Sequence, residues 1–466
     1  MRTGNITGEH VDETTNERPK SPRPLNADRY SHLSCLEQKL YLVNRHQSCL
    51  WGLRRGAPFS GLLIRFAGLV CFFTAPLLWA QQTLTLNEAI NSALTSPTAL
   101  ILDEQVNEAR AQVLQAHLGP NPRLFLQSED IRPWDSQFSY TSQTEDYAYL
   151  TQTLELDRKR HKRVGVAQAD LRISETEREL RRQLLIAGVA ASYWKAVSAQ
   201  SIVALLHTDL AEVEEIVLYH KQRVDAGAMR GVDLIRVQIE RDRVYLSLQT
   251  AQRDAVIARA ELFRQIGQQD FSSIQLTGDV STMRALPPID VEIALSRRLD
   301  LKVAVDQLAS AQENVRLQQA VAVPDIDLSA GYKRNSANNT LYFSSNIPLP
   351  VRNRNQGEID RARAQVRLAE DQVRQTQIAA RSDIDTARIA YQQQLEIVQQ
   401  TLPDLREHAR QNLSIMTEAY RIGGVDLLRY IDAERTEIDV EINALRTLAE
   451  FQQSAVRLQI ATGELP

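Results

Sequence analysis

Apolar side chains recur with helical spacing through most of the chain after residue 84, and two long stretches of this pattern end at a glycine. The first stretch ends at Gly227 and the second at Gly423. Closely similar segments follow, residues 231–236 (GVDLIR) and 424–429 (GVDLLR), and each begins another helical pattern. Since glycine commonly ends a helix, the sequence predicts two long helical hairpins produced by duplication.

Other helical patterns precede and include these hairpins. The first begins with Thr85 or Asn87 as its cap and extends to about residue 118. In the second half, a long helix is predicted from about 356 to 421, interrupted at Pro403. Asp404 and its counterpart Asp209 are candidate caps for restarted helices.

The apolar spacing changes to two between the first helical pattern and the long helix of each half. Residues 326–333 alternate apolar and polar side chains, and a second strand is predicted at 341–349. The first half has a matching strand at about 146–156, so each half contains one β-hairpin. Predicted strands of 9 to 11 residues are long enough to cross a membrane at a tilt.

Together these patterns predict a mainly α fold with a small β part. The expected division is an N-terminal extension and signal peptide at 1–80, repeat one at 81–280 and repeat two at 281–466. Four strands cannot close a barrel, and a sheet edge is not tolerated in lipid. Membrane-spanning strands would therefore require several copies of the chain, and three copies would give a wider ring than two.

Aromatic side chains gather in or beside the predicted hairpins. They are Trp134, Phe138, Tyr140, Tyr147, Tyr149, Tyr332, Tyr342 and Phe343. Girdles at the two membrane interfaces would explain this concentration, although aromatic residues also favour strands in general.

A basic cluster follows each hairpin, at 158–163 (RKRHKR) and 352–354 (RNR). Positive charge at the start of a helix opposes the helix dipole, so a compensating partner is expected. Anionic lipid headgroups or phosphates would serve, and a solvated helix face is the alternative.

The first 80 residues differ from the rest. A polar stretch is followed by Arg54 and Arg55 and an apolar run from 61 to 80, which is typical of a secretory signal with cleavage near Ala80. A membrane anchor and lipidation at Cys71 are the alternatives. The three cysteines all lie before this point, so the exported chain would have no disulfide.

Charge and composition exclude several function classes. After Ala80 the chain has 44 Lys and Arg against 52 Asp and Glu, which makes nucleic acid an unsuitable partner. The histidines after Ala80 show no metal-ligand spacing, and no phosphate-binding loop or nucleophile motif occurs. We therefore expect no catalytic residues, no cofactor and no metal site. Those histidines are His117, His161, His207, His220 and His408.

Two segments give the chain a resemblance to a known family, the TolC-like outer-membrane factors. Residues 347–357 (IPLPVRNRNQG) resemble that family's strand-to-helix signature, and 151–160 (TQTLELDRKR) is similar to its cobalt, zinc and cadmium resistance branch. The resemblance covers about residues 84 to 465. It implies a homotrimer with a 12-stranded β-barrel in the outer membrane of a Gram-negative bacterium and an α-helical barrel in the periplasm.

The resemblance also implies function and partners. The trimer would be a passive exit duct of a tripartite efflux pump, contacting outer-membrane lipid, a periplasmic adaptor and an inner-membrane transporter. The tip turns at Gly227, Gly231, Gly423 and Gly424 would face the adaptor. Two carboxylates three residues apart ring the closed aperture in the family's best-known member; here Asp426 matches the first and Arg429 stands at the second.

Several alternatives remain open at this point. The expected cargo is metal cations pumped by an RND-type transporter, and the alternatives are drugs or the proteins of a type I secretion system. In a different class, a periplasmic adaptor is also rich in helical hairpins, but it should have a single hairpin flanked by β-rich modules. A coiled-coil scaffold would require neither export nor the aromatic β-hairpins.

Overall fold

The computed structural model describes residues 83–269, 274–282, 285–336 and 338–464. The predicted signal segment, its cleavage point near Ala80 and the three cysteines lie outside these residues. Within them the fold is mainly helical with a small β part, as predicted.

The elements before residue 270 are short helices and strands followed by two long helices. They are β1 Thr83–Leu84, α1 Leu86–Leu94, α2 Pro97–Ala116, β2 Arg123–Glu129, α3 Tyr140–Gln143, β3 Glu145–Leu154, α4 Lys159–Asp225 and α5 Gly231–Ile266. The elements after residue 274 repeat this general order. They are β4 Gln275–Leu276, α6 Val291–Arg297, α7 Leu299–Val321, β5 Ile326–Asn335, β6 Asn338–Asn346, α8 Gln356–Glu396, a π-helical turn Ile397–Thr401, α9 Leu402–Arg421 and α10 Leu427–Ala461.

The first predicted helix is in fact two helices. Thr85 caps α1 as one of the predicted alternatives, because its side chain and that of Glu88 bond reciprocally to each other's backbone N–H groups. The chain then leaves the helix at Ser96, and Pro97 begins α2. Proline lacks the N–H that a continuing helix would need but suits a first turn, so one uninterrupted helix to residue 118 was a wrong prediction.

The long helix of the second half does not restart at Pro403. It passes through the π-helical turn Ile397–Thr401 directly before this proline, which accommodates the missing N–H without ending the helix. Asp404 lies in the first turn of α9 without capping it, and Asp209 is buried inside the uninterrupted α4. The predicted capping roles of both aspartates are therefore wrong.

The main core lies where α1, α4, α5, α8 and α10 meet, and Tyr193 of α4 is fully buried in it. Its hydroxyl donates to the carbonyl oxygen of Thr277 at 2.6 Å and lies 3.0 Å from that of Leu84. Leu84 is the last residue of β1 and Thr277 directly follows β4, its parallel partner. Burial raises the pKa of Tyr193 to about 12, so the phenol keeps its donor proton and ties the start of the described chain to the segment after α5.

One described helix, α4, contains an 18-residue stretch that is long and apolar enough to cross a membrane by composition alone. Within the protomer, 44% of that stretch is buried. Val189 and Val197 of the same helix belong to the main core, so packing between helices accounts for the apolar character of α4.

The two β-hairpins form a single antiparallel sheet in the order β2-β3-β5-β6. The join between them is the pairing of β3 with β5, which runs from Glu145 opposite Asn335 to Leu154 opposite Ile326. The returning strands end two to three residues earlier than predicted, at Leu154 and Asn346. Prolines at 348 and 350 have no N–H to donate, which explains the earlier end of β6.

Candidate functional site

The turns of the two helical hairpins have the same backbone geometry. Gly227 (φ +70°) follows α4, and the N–H of the next residue, Ala228, donates to the carbonyl of Arg223 at 2.9 Å. Gly423 (φ +79°) follows α9, and the N–H of Gly424 donates to Ala419 at 2.7 Å. This is the helix-ending arrangement in which a left-handed residue favours glycine.

The other two tip glycines serve different purposes. Gly231 is the first residue of α5, and a Cβ atom there would meet open space. Gly424 has a backbone conformation that any residue can adopt, although a Cβ atom there would lie 3.3 Å from the carbonyl oxygen of Ala419. Left-handed geometry therefore accounts for Gly227 and Gly423, and close approach accounts for Gly424.

Asp426 and Arg429 are both exposed at the start of α10. The Asp426 side chain caps the helix by accepting a hydrogen bond from the backbone N–H of Arg429 at 3.1 Å. Among the described residues no ion pair joins the two side chains, so the pair interacts through the backbone and leaves both charged groups toward solvent.

The four helices that form the two tips pack together directly behind the turns. Val237 of α5 and Leu427 and Ile431 of α10 form a buried cluster against partly buried residues of α4 and α9. The structure thus packs helices of both hairpins against one another directly behind the turns.

A buried histidine joins the hairpins at the same level. His220 of α4 is fully buried; its Nδ1 lies 2.8 Å from the carbonyl oxygen of Ile216, and its Nε2 lies 2.8 Å from the hydroxyl of Tyr420 of α9. Tyr420 in turn stacks on Tyr430 of α10. Sequence reasoning named His220 without a role, because its contacts are made across about 200 residues of chain.

The sheet has an apolar face that is exposed in the protomer. Residues on it are between 43% and 77% exposed: Leu124, Leu126, Leu150, Leu154, Leu328, Tyr332, Leu341 and Phe343. A large exposed apolar patch marks contact with a protein or a membrane. The strands alternate apolar and polar side chains as predicted. No part of the described chain covers the apolar face of the sheet.

The opposite face of the sheet is polar and aromatic. Its hydrogen bonds and ion pairs include Thr151 to Ser329 at 2.7 Å and Lys333 to Glu145 at 2.7 Å. Four aromatic rings also contact one another on this face: Phe125 stacks on Tyr149, Tyr342 meets Tyr149 at a tilt, and Tyr147 lies edge-on to Tyr342. The girdle interpretation is therefore wrong for Tyr147, Tyr149 and Tyr342, which pack on one another away from the apolar face.

The first basic cluster is largely compensated within the chain. Three of its side chains form ion pairs: Lys159 with Asp325 at 2.6 Å, Lys162 with Asp157 at 2.8 Å and Arg163 with Glu155 at 2.7 Å. Arg158 and Arg160 are exposed, as are both arginines of 352–354. Carboxylates of the chain itself thus supply much of the compensation that was expected from lipid or solvent.

The histidines and acidic side chains of the described part of the chain do not gather as metal ligands. No group of three or more His, Cys, Asp or Glu side chains in these residues is arranged to hold a metal ion. His207 and His408 are exposed, whereas His220 has the hydrogen bonds given above.

Comparison with known proteins gives a consistent set of similarities. The family model described as outer membrane efflux protein matches residues 102–268 and 291–464. The cobalt-zinc-cadmium resistance protein CzcC of Cupriavidus metallidurans is 26% identical over 397 residues, which cover 82% of this chain and 91% of that protein. The pyoverdine export outer membrane protein OpmQ of Pseudomonas aeruginosa is 25% identical over 63% of this chain and 64% of its own length.

Similarity extends to solved structures. CusC, whose structures concern folding and transmembrane channel formation, superposes with a TM-score of 0.71 at 19% identity, covering 81% of this chain and 92% of CusC. At this identity the likeness establishes the fold.

Proposed function

This chain belongs to the outer membrane efflux protein family, and we propose that it is the passive exit duct of a tripartite efflux pump. The observation that carries the proposal is the four-stranded sheet, whose exposed apolar face suits lipid and whose polar face suits a water-filled lumen. No chemistry is assigned to the duct, and its role is to conduct cargo delivered by a transporter.

The duct requires several copies of the chain. Strands β2 and β6 are the edges of the sheet within the described residues, and an open edge is not tolerated in lipid. Three copies joined edge to edge would close twelve strands around a lumen, with the helical hairpins forming a second barrel in the periplasm.

We also retain 1–80, 81–280 and 281–466 as the proposed division of the chain.

The tips are the proposed contact with the other pump components. Gly227, Gly231, Gly423 and Gly424 would face a periplasmic adaptor, which links the duct to an inner-membrane transporter. Because the four tip helices share one packed cluster behind these turns, docking at either turn would be transmitted to the other hairpin.

Metal cations are the proposed cargo. The support is the similarity to a cobalt-zinc-cadmium resistance protein across most of both chains. Similarity to a pyoverdine export protein favours an organic cargo as the second candidate, over a shorter part of the chain. In either case we assign substrate choice to the transporter, since the described residues contain no cluster arranged as a metal site.

The cargo is tested by replacing the outer-membrane component of two pumps. In a Gram-negative host that lacks its own outer-membrane component, the chain is expressed once with a cobalt-zinc-cadmium transporter and its adaptor, and once with a transporter and adaptor for organic toxins. We expect tolerance to Co²⁺, Zn²⁺ and Cd²⁺ to rise with the first pair and tolerance to organic toxins not to rise with the second. The opposite pattern, with the protein present in the outer membrane, would support organic cargo and contradict the metal proposal.

The aperture proposal places Asp426 and Arg429 at the narrowest point of the closed tips, where their charges set ion selectivity. Arg429→Asp should leave assembly intact and make the channel more cation-selective, because it exchanges a positive for a negative charge in every copy. Asp426→Asn should shift selectivity the other way. The measurement is the reversal potential in a salt gradient across a planar bilayer.

Thermal stability distinguishes the two roles of Asp426, its charge at the proposed aperture and its capping of α10. Asparagine caps a helix about as well as aspartate, so Asp426→Asn should not change thermal stability, whereas Asp426→Ala should cost roughly 1 kcal/mol per chain. Reversal potentials that are unchanged by Asp426→Asn and also by Arg429→Asp would remove these two positions from the aperture.

A further inference from the structure

Two carboxylic acids are buried where the first helical hairpin packs on the second. Asp209 of α4 is 4% exposed and Glu434 of α10 is 9% exposed. Both side chains line one small cavity of about 50 Å³ between α4, α5 and α10. Acidic side chains are rarely buried without a partner, so this pair requires a physical account.

The neighbouring buried glutamates do have partners. Glu240 pairs with Arg435 and with Arg243 (3.3 Å), and Glu441 pairs with Arg406 (2.6 Å) and Arg410 (2.8 Å). Among the described residues the side chains of Asp209 and Glu434 have neither a hydrogen bond nor an ion pair. Arg243 and Arg435 form their ion pairs with Glu240, and the charge of Arg243 lowers the pKa of Asp209 only as the smallest of its causes. Two ionised carboxylates at the cavity would therefore be poorly compensated.

Burial determines the charge state of the pair. It raises the pKa of Asp209 to about 6, with the charges of Glu212, Glu240 and Glu437 as further causes. Burial also raises the pKa of Glu434 to about 8, and the charge of Asp209 is the next cause. Near neutral pH, Glu434 therefore keeps its proton while Asp209 is mostly ionised.

Charged and titratable groups from all three helices face this pair. They are Glu212 on α4, Glu240 and Arg243 on α5, and Tyr430, Arg435, Glu437 and Asp439 on α10. Arg243 and Arg435 both form ion pairs with Glu240. Because the remaining groups are acidic, the side chains around Asp209 and Glu434 carry a net negative charge, which favours the protonated form of the pair.

We propose that Asp209 and Glu434 form a proton-binding site that holds the two hairpins together while Glu434 is protonated. A protonated Glu434 is neutral and can donate one hydrogen bond, either to Asp209 or to a water in the cavity. Loss of that proton places two like charges in one poorly solvated space, and they repel across the interface of α4 with α10.

The direction of the pH effect follows from the raised pKa values. Packing raises both above those of solvated carboxyl groups, so the protonated state favours the packed hairpins. Its contribution is fully present below the pKa of solvated carboxyl groups, about 4. It decreases as the pH rises above that value, and the loss is complete at about 6 for Asp209 and about 8 for Glu434. This proton site goes beyond the efflux function and is testable on the purified protein without transport.

Infrared titration of the purified full chain in mild detergent tests the site directly. Wild type should retain a protonated-carboxyl band at neutral pH that disappears with a midpoint near pH 8. Glu434→Gln should abolish that band, and Asp209→Asn should move its midpoint to lower pH by removing the neighbouring charge. Glu450→Gln, a change at an exposed acid of the same helix, is the matched control and should leave the band unchanged.

Thermal midpoints across the same pH range test the coupling to packing. Wild type and the Glu450 variant should lose stability as the pH rises from about 4, the pKa of a solvated carboxyl group, to the infrared midpoint, and should level off above it. Glu434→Gln should lose much less over the same range. Absence of the band at neutral pH, or its persistence in Glu434→Gln, would refute the proton site. Equal pH dependence of the thermal midpoint in all three proteins would refute the coupling. If added Zn²⁺ lowered the pH midpoint of the infrared band, the ligand of this site would be a metal cation and not a proton.

Discussion

Replacing Phe343 by arginine should prevent the protein from accumulating in folded form in the outer membrane. Phe343 is 73% exposed on the apolar face of the sheet, opposite Ala330 of β5. An arginine on the lipid face of a transmembrane sheet costs about 2–4 kcal/mol near the middle of the bilayer, and the proposed oligomer would contain one in every copy. The loss should therefore far exceed the effect of an ordinary surface substitution.

The adjacent residue supplies the control. Ser344 lies on the polar face, opposite Ser329, so Ser344→Arg adds the same charge at the same depth but toward the proposed lumen. Outer-membrane fractions are compared by gel migration with and without heating, which separates folded from unfolded barrels. Loss of the Ser344 variant with retention of the Phe343 variant would reverse the assignment of the two faces, and equal retention would argue against a membrane role for the sheet.

The hairpin tips could be predicted from sequence because their cause is local. A residue with a left-handed backbone after a long helix favours glycine, and Gly227 and Gly423 have that backbone. The cap of α1 is local in the same sense, since Thr85 and Glu88 bond to each other. Such features need only a few neighbouring residues, which a sequence displays directly.

Features that depend on distant contacts could not be predicted in the same way. Alternation located the strands, but the contacts of the Tyr149 ring with Phe125 and Tyr342 on the polar face depend on strand pairing. Likewise, Asp209 looks like a candidate cap in sequence, and only the packing of α10 places it beside the cavity that Glu434 also lines. The chemistry of this site arises between hairpins and has no local signature.

Substitution of Gly331 by alanine should disconnect the two β-hairpins. A Cβ atom at this position would overlap the carbonyl oxygen of Ala148 and the Cα of Tyr149, approaching both much more closely than real Cβ contacts do. The obstructing atoms are backbone, so β3 and β5 would have to separate where they form the only join between the hairpins in the described sheet. Overpacking of this kind costs roughly 1–3 kcal/mol or more per chain.

Gly119→Ala is the matched control for this change, because a Cβ at Gly119 meets no atom within 4 Å and its backbone is not left-handed. We expect the Gly331 variant to lose the heat-sensitive folded form while the Gly119 variant keeps it. The reason is that all membrane strands of one copy depend on the pairing of β3 with β5, since β2 and β6 each pair with only one other strand of the described sheet. A Gly331 variant as heat-stable as wild type would show that the strands can separate locally without cost, and the sheet would then not be the rigid element on which barrel closure depends.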